Sequence, residues 1–188
     1  MSDNAAETLA VFDKTDWRVK CAFDNGLITR ECVNSTFTDR LTRLQLASLI
    51  VNAYEKYTGK TIDMIENPYN DCMDSNAIKA YVLELMNGYE DGGFKPNETV
   101  MHSEFIRVLY NLLVKLNVQF PKNYDDTAEF DDYSKNYAGK HWAGTYVYRL
   151  KAAGVLDGVF DKTISIDNST SVREAAAMLF NGCELIGK

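Results

Sequence analysis

The sequence has no apolar run long enough to cross a membrane. A membrane-spanning helix needs about 20 apolar residues, and the longest candidate here, residues 106–118, is interrupted by Arg107, Asn111 and Lys115. Residues 1–17 also lack the basic start and the apolar core of a secretory signal peptide. We therefore expect a protein that does not insert into a membrane.

Positive charge is also scarce. The chain has 20 Lys and Arg against 27 Asp and Glu, a net charge of −7, and no basic patch. This balance argues against binding to nucleic acid or to an anionic membrane. The remaining composition, with 46% hydrophobic and 25% charged residues, is that of an ordinary globular protein.

Cysteine motifs are absent as well. The four cysteines show no CxxC spacing, which argues against a zinc site or a thioredoxin-like site. An even number permits disulfides in an oxidising compartment, with three pairings open, but isolated buried thiols are the interpretation we favour. The four are Cys21, Cys32, Cys72 and Cys183. Nothing places a histidine beside a cysteine, so we expect no enzyme activity and no cofactor.

One loop has part of a calcium-binding pattern. Asn87, Asp91, Gly92 and Glu98 fall at positions 1, 5, 6 and 12 of an EF-hand loop. Position 3 is Tyr89, where the motif requires a carboxylate or amide oxygen. We therefore predict no metal site.

What the chain does contain is a Gly-rich turn that leads into an amphipathic helix, over residues 87–113. Asn87-Gly88 and Asp91-Gly92 are dipeptides that favour positive φ and mark turns. Apolar residues then recur at helical spacing. They are Phe105, Leu109, Leu112, Leu113 and Leu116.

The same succession occurs at residues 25–54 and 153–180. Each copy has a Gly, an apolar pair, a turn-rich loop, a hydroxyl residue, and an acidic or amide residue three places on. The spacing agrees, because Gly88 precedes His102 by 14 residues and Gly158 precedes Val172 by 14. We infer an internal repeat with a period of roughly 60–70 residues.

The repeated helix start has a physical reason. In a capping box, a hydroxyl accepts from the third helical amide and the side chain of that third residue accepts from the capping amide. Each cap stabilises its helix by about 1 kcal/mol. Two copies fit this pattern, with Thr42-x-x-Gln45 and Ser171-x-x-Glu174. The middle copy keeps Glu104 but has Met101 at the hydroxyl position, so we expect half of its capping box to be lost.

Together these residues resemble the S-layer homology domain. The shared motifs are a Gly-Ile-x-x-Gly segment, a DG-F-x-P loop and a T-R-x-E segment followed by an apolar helix. The third copy adds Phe130-Asp131 and His141-Trp142-Ala143, which are similar to the family's F-x-D and HWA segments. The other copies offer Phe12-Asp13 with Trp17, and Tyr69-Asn70-Asp71.

The resemblance implies an all-α fold of three tandem helix–loop–helix repeats, over residues 10–60, 67–118 and 128–186. Such copies join in the family into one pseudo-threefold body around a central helical bundle, with grooves between neighbours. The apolar periodicity itself predicts two main helices per copy and no long strand. The predicted helices span residues 17–23, 44–57, 75–86, 104–116, 137–153 and 173–185.

Arg43 is the residue that the resemblance marks for ligand binding. In the family, the Arg of T-R-x-E recognises a pyruvylated sugar at the end of a secondary cell-wall polymer. A pyruvate ketal carries one carboxylate, which a guanidinium holds with two parallel hydrogen bonds, and free amides at a helix N-terminus also favour an anion. Thr42 and Gln45 flank Arg43 in the predicted site. The alternative is a solvated surface arginine.

The other two copies depart from this pattern. The position of Arg43 is held by His102 in the second copy and by Val172 in the third, where Arg173 is displaced by one residue, or about 100° around a helix. His102 retains a donor that strengthens on protonation, whereas Val172 has none. Glu84 also replaces the first glycine of the second copy. We predict one competent, one weakened and one degenerate groove.

Further glycan-binding residues are carried over from the family pattern. They are Asp13, Trp17, Gly26, Glu104 and Trp142. The tryptophans offer faces on which a sugar stacks, although buried packing is the role we favour for them. Asp13, like Asp71 and Asp131, matches the acidic front position, where it orients the arginine, bonds sugar hydroxyls or caps the next helix.

The resemblance implies a non-catalytic module that binds a pyruvylated secondary cell-wall polysaccharide and anchors its protein to a bacterial cell surface. It implies secretion, so that a leader is expected to have been removed, and it allows self-association in a surface layer. The alternative is a structural or protein-interaction module that has lost glycan binding, which His102 and Val172 favour.

Overall fold

The described part of the chain contains six α-helices. It also contains isolated β-bridges, but no β-strand. The computed structural model describes residues 17–28, 39–121, 130–132 and 141–188. In chain order the helices are α1 Trp17–Asp24, α2 Arg43–Thr58, α3 Ser75–Val82, α4 His102–Lys115, α5 Gly144–Ala152 and α6 Val172–Cys183. The predicted all-α fold class is confirmed. None of these six helices is long and apolar enough to cross a membrane.

α2 begins and ends at the residues that its sequence predicts. Thr42 N donates to Gln45 Oε1 at 2.9 Å, and Gln45 N donates to Thr42 Oγ1 at 3.3 Å. Gly59 ends the helix with φ 66°, a left-handed conformation that favours glycine. The buried side of the helix consists of Leu46, Ala47, Leu49, Ile50, Val51 and Ala53.

The other two helix starts also follow the prediction. Ser171 N donates to Glu174 Oε2 at 2.8 Å, and Glu174 N donates to Ser171 Oγ at 3.2 Å. Before α4, Met101 N donates to Glu104 Oε2 at 2.9 Å, but the Met101 side chain makes no capping hydrogen bond. The expected loss of half of this capping box is confirmed.

α3 is shorter than predicted, because it ends at Val82 rather than at Met86. Glu84 takes a left-handed conformation with φ 56°, which reverses the chain. Gly26 follows α1 with φ 67° and Gly154 follows α5 with φ 77°. Glu84 therefore adopts, at some strain, the conformation that glycine provides at the other two turns. The predicted start of α5 at residue 137 lies outside the described residues, and the described helix begins at residue 144.

The segments ahead of α2, α4 and α6 join in a closed ring of backbone hydrogen bonds. Leu41 N donates to Thr170 O at 2.8 Å, Thr170 N to Val100 O at 2.8 Å, and Val100 N to Leu41 O at 2.9 Å. All three residues are buried. The ring therefore holds the starts of the three helices next to one another in the interior.

Each of the short helices packs against a longer helix. α1 packs on α6, α3 on α2 and α5 on α4, while α4 also contacts α2 and α6. Burial of each large apolar side chain between them contributes about 1.5–3 kcal/mol. The largest fully buried side chains include Phe94, Phe105, Leu46, Ile50, Leu109 and Leu113. Gly182 allows close packing of α6 on α4, because a Cβ there would lie 2.8 Å from Leu113 Cδ1.

Three cysteines of the described residues are free thiols. Cys72 and Cys183 are buried and Cys21 is half-buried. Burial raises the pKa of Cys183 to about 12. These thiols therefore resemble small apolar core residues more than reactive groups. Cys32 lies outside the described residues.

Candidate ligand-binding cleft

A cleft of about 300 Å³ opens between the start of α2 and the side of α4. This volume lies at the small end of the range for ligand pockets. Its apolar wall consists of Leu46, Met86, Val100 and Val108. Its polar side chains are those of Arg43, Asn87, Tyr89, Glu104 and Arg107, and Gly88 completes the lining.

Arg43 is the first residue of α2, and its guanidinium is held in one orientation. Nε donates to Phe94 O and Nη2 donates to Asn87 O, both at 2.8 Å. The centre of the guanidinium lies 4.8 Å from the ring centroid of Tyr89 and 4.9 Å from that of Phe94. A guanidinium has five N–H donors. Within the described residues two of them are engaged, so that three remain for a ligand.

The loop that holds Arg43 is itself fixed by Asp71. Asp71 Oδ1 accepts from Phe94 N at 2.6 Å, and Oδ2 accepts from Lys95 N at 2.8 Å. The amide of Phe94, helped by that of Lys95, lowers the pKa of Asp71 below its usual value of 3.8. The loop is tight at Gly88, where a Cβ would lie 2.7 Å from Tyr69 Cε1. The loop that carries the carbonyls of residues 87 and 94 is therefore held in position by Asp71 and by the close contact at Gly88.

Tyr89 supplies an aromatic face to the guanidinium. Its hydroxyl donates to Glu98 Oε2 at 2.8 Å, and Lys95 Nζ lies 4.0 Å from its ring centroid. Burial and the hydrogen bond to Glu98 raise the pKa of Tyr89 above 10, against the opposing charge of Arg43. The phenol therefore stays neutral, and cation–π attraction adds to the fixing of Arg43.

The predicted use of free helix amides for anion binding is wrong. Arg43 N donates to Glu98 O at 2.9 Å, Leu44 N to Pro96 O at 3.0 Å, and Gln45 N to Thr42 Oγ1. These carbonyls and the capping hydroxyl satisfy the first three amides of α2, which a helix start otherwise leaves unpaired. An anion in the cleft therefore receives no hydrogen bond from these three amides.

The structure brings some of the predicted site residues together. Thr42 and Gln45 bond each other beside Arg43, and Glu104 lines the cleft. Trp142 lies at its edge, where the centre of the Arg107 guanidinium is 5.7 Å from the ring centroid.

Three predicted residues lie elsewhere or outside the described residues. Trp17 contacts Phe180 of α6, with ring centroids 5.5 Å apart, and Gly26 ends α1. Neither lines the cleft beside Arg43. Asp13 lies outside the described residues.

Both tryptophans are exposed, so the predicted burial in the core is wrong. Trp17 is 66% exposed and Trp142 is 54% exposed. Each ring touches its neighbours along one part and leaves much of its surface to solvent. Exposed indole faces of this kind are suited to stacking against a flat apolar surface.

His102 does not occupy an open groove, although it holds the position of Arg43 in the second copy. It is 5% exposed, with Nδ1 3.0 Å from Ser165 O and Nε2 3.2 Å from Glu174 Oε2. The ring of Phe160 packs on it at 5.0 Å between centroids. Because both ring nitrogens are engaged, we leave His102 out of the proposed site. In the third copy Val172 is buried and Arg173 is exposed.

In the segment predicted to be the third copy, Asp132 rather than the predicted Asp131 makes the contacts that correspond to those of Asp71. Asp132 Oδ1 accepts from Ile164 N at 3.0 Å and Oδ2 accepts from Ser165 N at 2.7 Å. These contacts reproduce those of Asp71 with the loop of the second copy. Both carboxylates fix a loop, and the cap of α3, the helix that follows Asp71, is Asp74.

Two cleft residues were missed by the sequence interpretation. Arg107 interrupts the apolar run of α4 one turn after Glu104, which places the two on the same side of the helix. Tyr89 was considered only as a residue that breaks a calcium motif. The described lining thus holds two arginines and one carboxylate, a positive cleft in an acidic protein. No group of three or more metal-ligating side chains occurs in the described ranges.

The described lining contains a single carboxylate. Its one carboxylate, Glu104, accepts from Met101 N and caps α4. Glycoside hydrolysis generally uses two carboxyl groups that flank the scissile bond.

Comparison with known proteins gives a family match in the region of the chain that lines the cleft. Residues 74–106, which run from the cap of α3 into α4, match the S-layer homology domain. The chain is 30% identical over 155 residues to a cellulosome-anchoring protein of Acetivibrio thermocellus, an alignment that covers 78% of this chain and 32% of that protein. It is 26% identical over 152 residues to cell surface glycoprotein 1 of the same organism, over 77% of this chain and 6% of the relative.

A third relative is an endoglucanase of Bacillus sp. strain KSM-635. It is 32% identical over 117 residues, which is 55% of this chain and 12% of the endoglucanase. The chain therefore spans less than a third of the length of each of these relatives.

Proposed function

We propose that this protein is a non-catalytic module that anchors to a bacterial cell surface by binding an acidic wall polymer in the cleft beside Arg43. The observation that carries the proposal is the fixed guanidinium, with two donors held by backbone carbonyls and three that bond no described residue. Two of the relatives are named for anchoring or for the cell surface. The S-layer homology match lies over the loop and helix that form one side of the cleft.

The ligand we propose is a pyruvylated sugar of a secondary cell-wall polymer. Its ketal carboxylate fits the outer edge of the Arg43 guanidinium, where two parallel charge-assisted hydrogen bonds can form. The apolar wall made by Leu46, Met86 and Val108 suits the ketal methyl group and the sugar ring. The exposed ring of Trp142 adds a stacking surface at the edge.

We also propose that the chain has three copies and one working groove. The closed ring of Leu41, Val100 and Thr170 supports three equivalent helix starts. Two residues after Leu41, Val100 and Thr170, the chain has Arg43, the buried His102 and the buried Val172, respectively. Only the first of these presents a cation to a cleft, so the second and third grooves do not bind an acidic sugar by this chemistry.

Binding to purified bacterial cell walls tests the proposal. The protein should sediment with walls that carry the polymer, and much less with walls whose ketals have been hydrolysed by dilute acid. Arg43→Ala should weaken binding roughly 100-fold, since two charge-assisted hydrogen bonds are lost. Arg173→Ala is the matched control, because it removes an exposed arginine beside the third helix start. That variant should bind like the wild type.

Equal sedimentation of Arg43→Ala and wild type would place the binding site elsewhere. Failure of both to bind, together with a defined oligomer in light scattering, would favour a structural or self-associating module that has lost glycan recognition. The buried His102 and Val172 are the features that would then explain the loss.

A further inference from the structure

The cleft contains a second arginine, Arg107, in addition to Arg43. Arg107 extends from α4 into the cleft that Arg43 enters from α2. It is exposed, and its described contact is with the face of Trp142, 5.7 Å from the ring centroid. No carboxylate of the described residues forms an ion pair with it. Its charge is therefore available to a ligand.

The second arginine is specific to this cleft. Arg107 lies three residues after Glu104, the third residue of its helix. The corresponding positions after Gln45 and Glu174 are Ser48 and Ala177. Ser48 donates to Leu44 O at 3.0 Å, and Ala177 is buried. The cleft thus combines Arg43, the first residue of α2, with Arg107, whose position in the helix has no arginine in α2 or α6.

Glu104 does not neutralise the pair. Its Oε2 accepts from Met101 N at 2.9 Å, which directs the carboxylate toward the helix start. Two guanidiniums and one carboxylate leave a net positive charge in the lining, although the chain as a whole carries −7. Trp142 restrains Arg107 without cancelling its charge.

We propose that Arg107 binds a second acidic group, so that the ligand is a dianionic segment of polymer rather than a sugar with one charge. This inference rests on the proposed function, in which Arg43 binds the first acidic group. The second group is a carboxylate or a phosphate on the neighbouring sugar, because a guanidinium forms paired hydrogen bonds with either.

Three synthetic disaccharides test this inference by calorimetric titration of the full chain. One carries a pyruvyl ketal on the terminal sugar alone, one carries ketals on both sugars, and one carries a ketal and a methyl phosphodiester, which has a single negative charge. The wild type should bind the two dianionic compounds roughly 10- to 100-fold more tightly than the monoanionic one. In Arg107→Gln this ratio should fall to about one. Arg173→Gln, the control of equal charge, should keep it. The compound whose affinity exceeds that of the monoanionic disaccharide by the larger factor identifies the second acidic group.

The outcomes separate the two proposals. A wild-type ratio near one, with all three compounds bound, would overturn the role of Arg107 and leave the proposed function intact. An equal weakening of all three compounds in Arg107→Gln would also overturn that role, since the residue would then bind the first sugar. If no disaccharide bound, both proposals would fail.

Discussion

The ion pair between His102 and Glu174 should stabilise the protein, and its removal gives a measurable loss. The two side chains are 6% and 28% exposed, and their Nε2–Oε2 distance is 3.2 Å. Breaking a fully buried pair costs about 3–5 kcal/mol. Glu174 keeps hydrogen bonds from Ser171 and some contact with water, so we expect His102→Gln to lower the free energy of unfolding by about 2–3 kcal/mol.

The loss of unfolding free energy in His102→Gln should depend on pH, in a direction set by the pKa shifts of the two side chains. Burial alone lowers the pKa of His102, but the hydrogen bond and the charge of Glu174 outweigh burial and raise it above 6.5. The contribution of His102 is therefore fully present below about pH 6.5 and is lost as the pH rises through the folded-state pKa. Burial alone raises the pKa of Glu174, but the hydrogen bonds from His102 and Ser171 lower it below 4.5. Its contribution is present above pH 4.5 and is lost as the pH falls through the folded-state pKa.

Urea unfolding between pH 4 and pH 9 measures this effect. The difference between wild type and His102→Gln should be largest between about pH 4.5 and 6.5 and should shrink at higher pH. With a urea slope of about 1–3 kcal/mol per molar, the midpoint near pH 6 should fall by about 0.7–3 M. His141→Gln is the control, because it leaves the pair intact. A difference that stays constant or grows toward pH 9 would refute the assigned ion pair.

Three further substitutions test the local structure. Glu84→Gly should raise the free energy of unfolding by about 0.5–1 kcal/mol, because it removes the strain of a non-glycine residue in the left-handed conformation. A lower free energy of unfolding, measured in urea, would show that the turn is not strained. Met101→Thr should add about 1 kcal/mol by completing the capping box of α4, and an unchanged urea midpoint would contradict this. Asp71→Asn should speed hydrogen exchange at the amides of Phe94 and Lys95 and weaken sugar binding; slow exchange in the variant would mean that the loop is held otherwise.

The helix starts were predictable because their causes are local. A capping box lies within four consecutive residues, and the apolar sides of α2 and α4 follow the helical period. The half-lost box at Met101 followed from the same rule. The end of α3 was missed because Glu84 is not a residue that favours positive φ. The helix is closed there by local hydrogen bonds, from Glu84 N to Tyr81 O and from Leu85 N to Ala80 O.

The surroundings of the candidate site were predicted only in part. The resemblance to a family pointed to Arg43, but the carbonyls that hold its guanidinium belong to residues 87 and 94, far along the chain. The first amides of α2 donate to the carbonyls of residues 96 and 98. Because these residues are also far along the chain, no local pattern indicated that the amides are occupied. His102 pairs with Glu174, 72 residues away, and no local pattern indicates that its ring is buried. Arg107 was read only as a break in an apolar run, because a charged residue in such a run is usually a solvated one.

Calorimetric titration of the intact chain with a synthetic 4,6-pyruvylated N-acetylmannosamine tests the central claim most directly. The account predicts binding at one site per chain, and the loss of that binding in Arg43→Ala while the thermal unfolding of the variant shows that it remains folded. Equal binding by the two proteins, or no binding by the wild type, would contradict it.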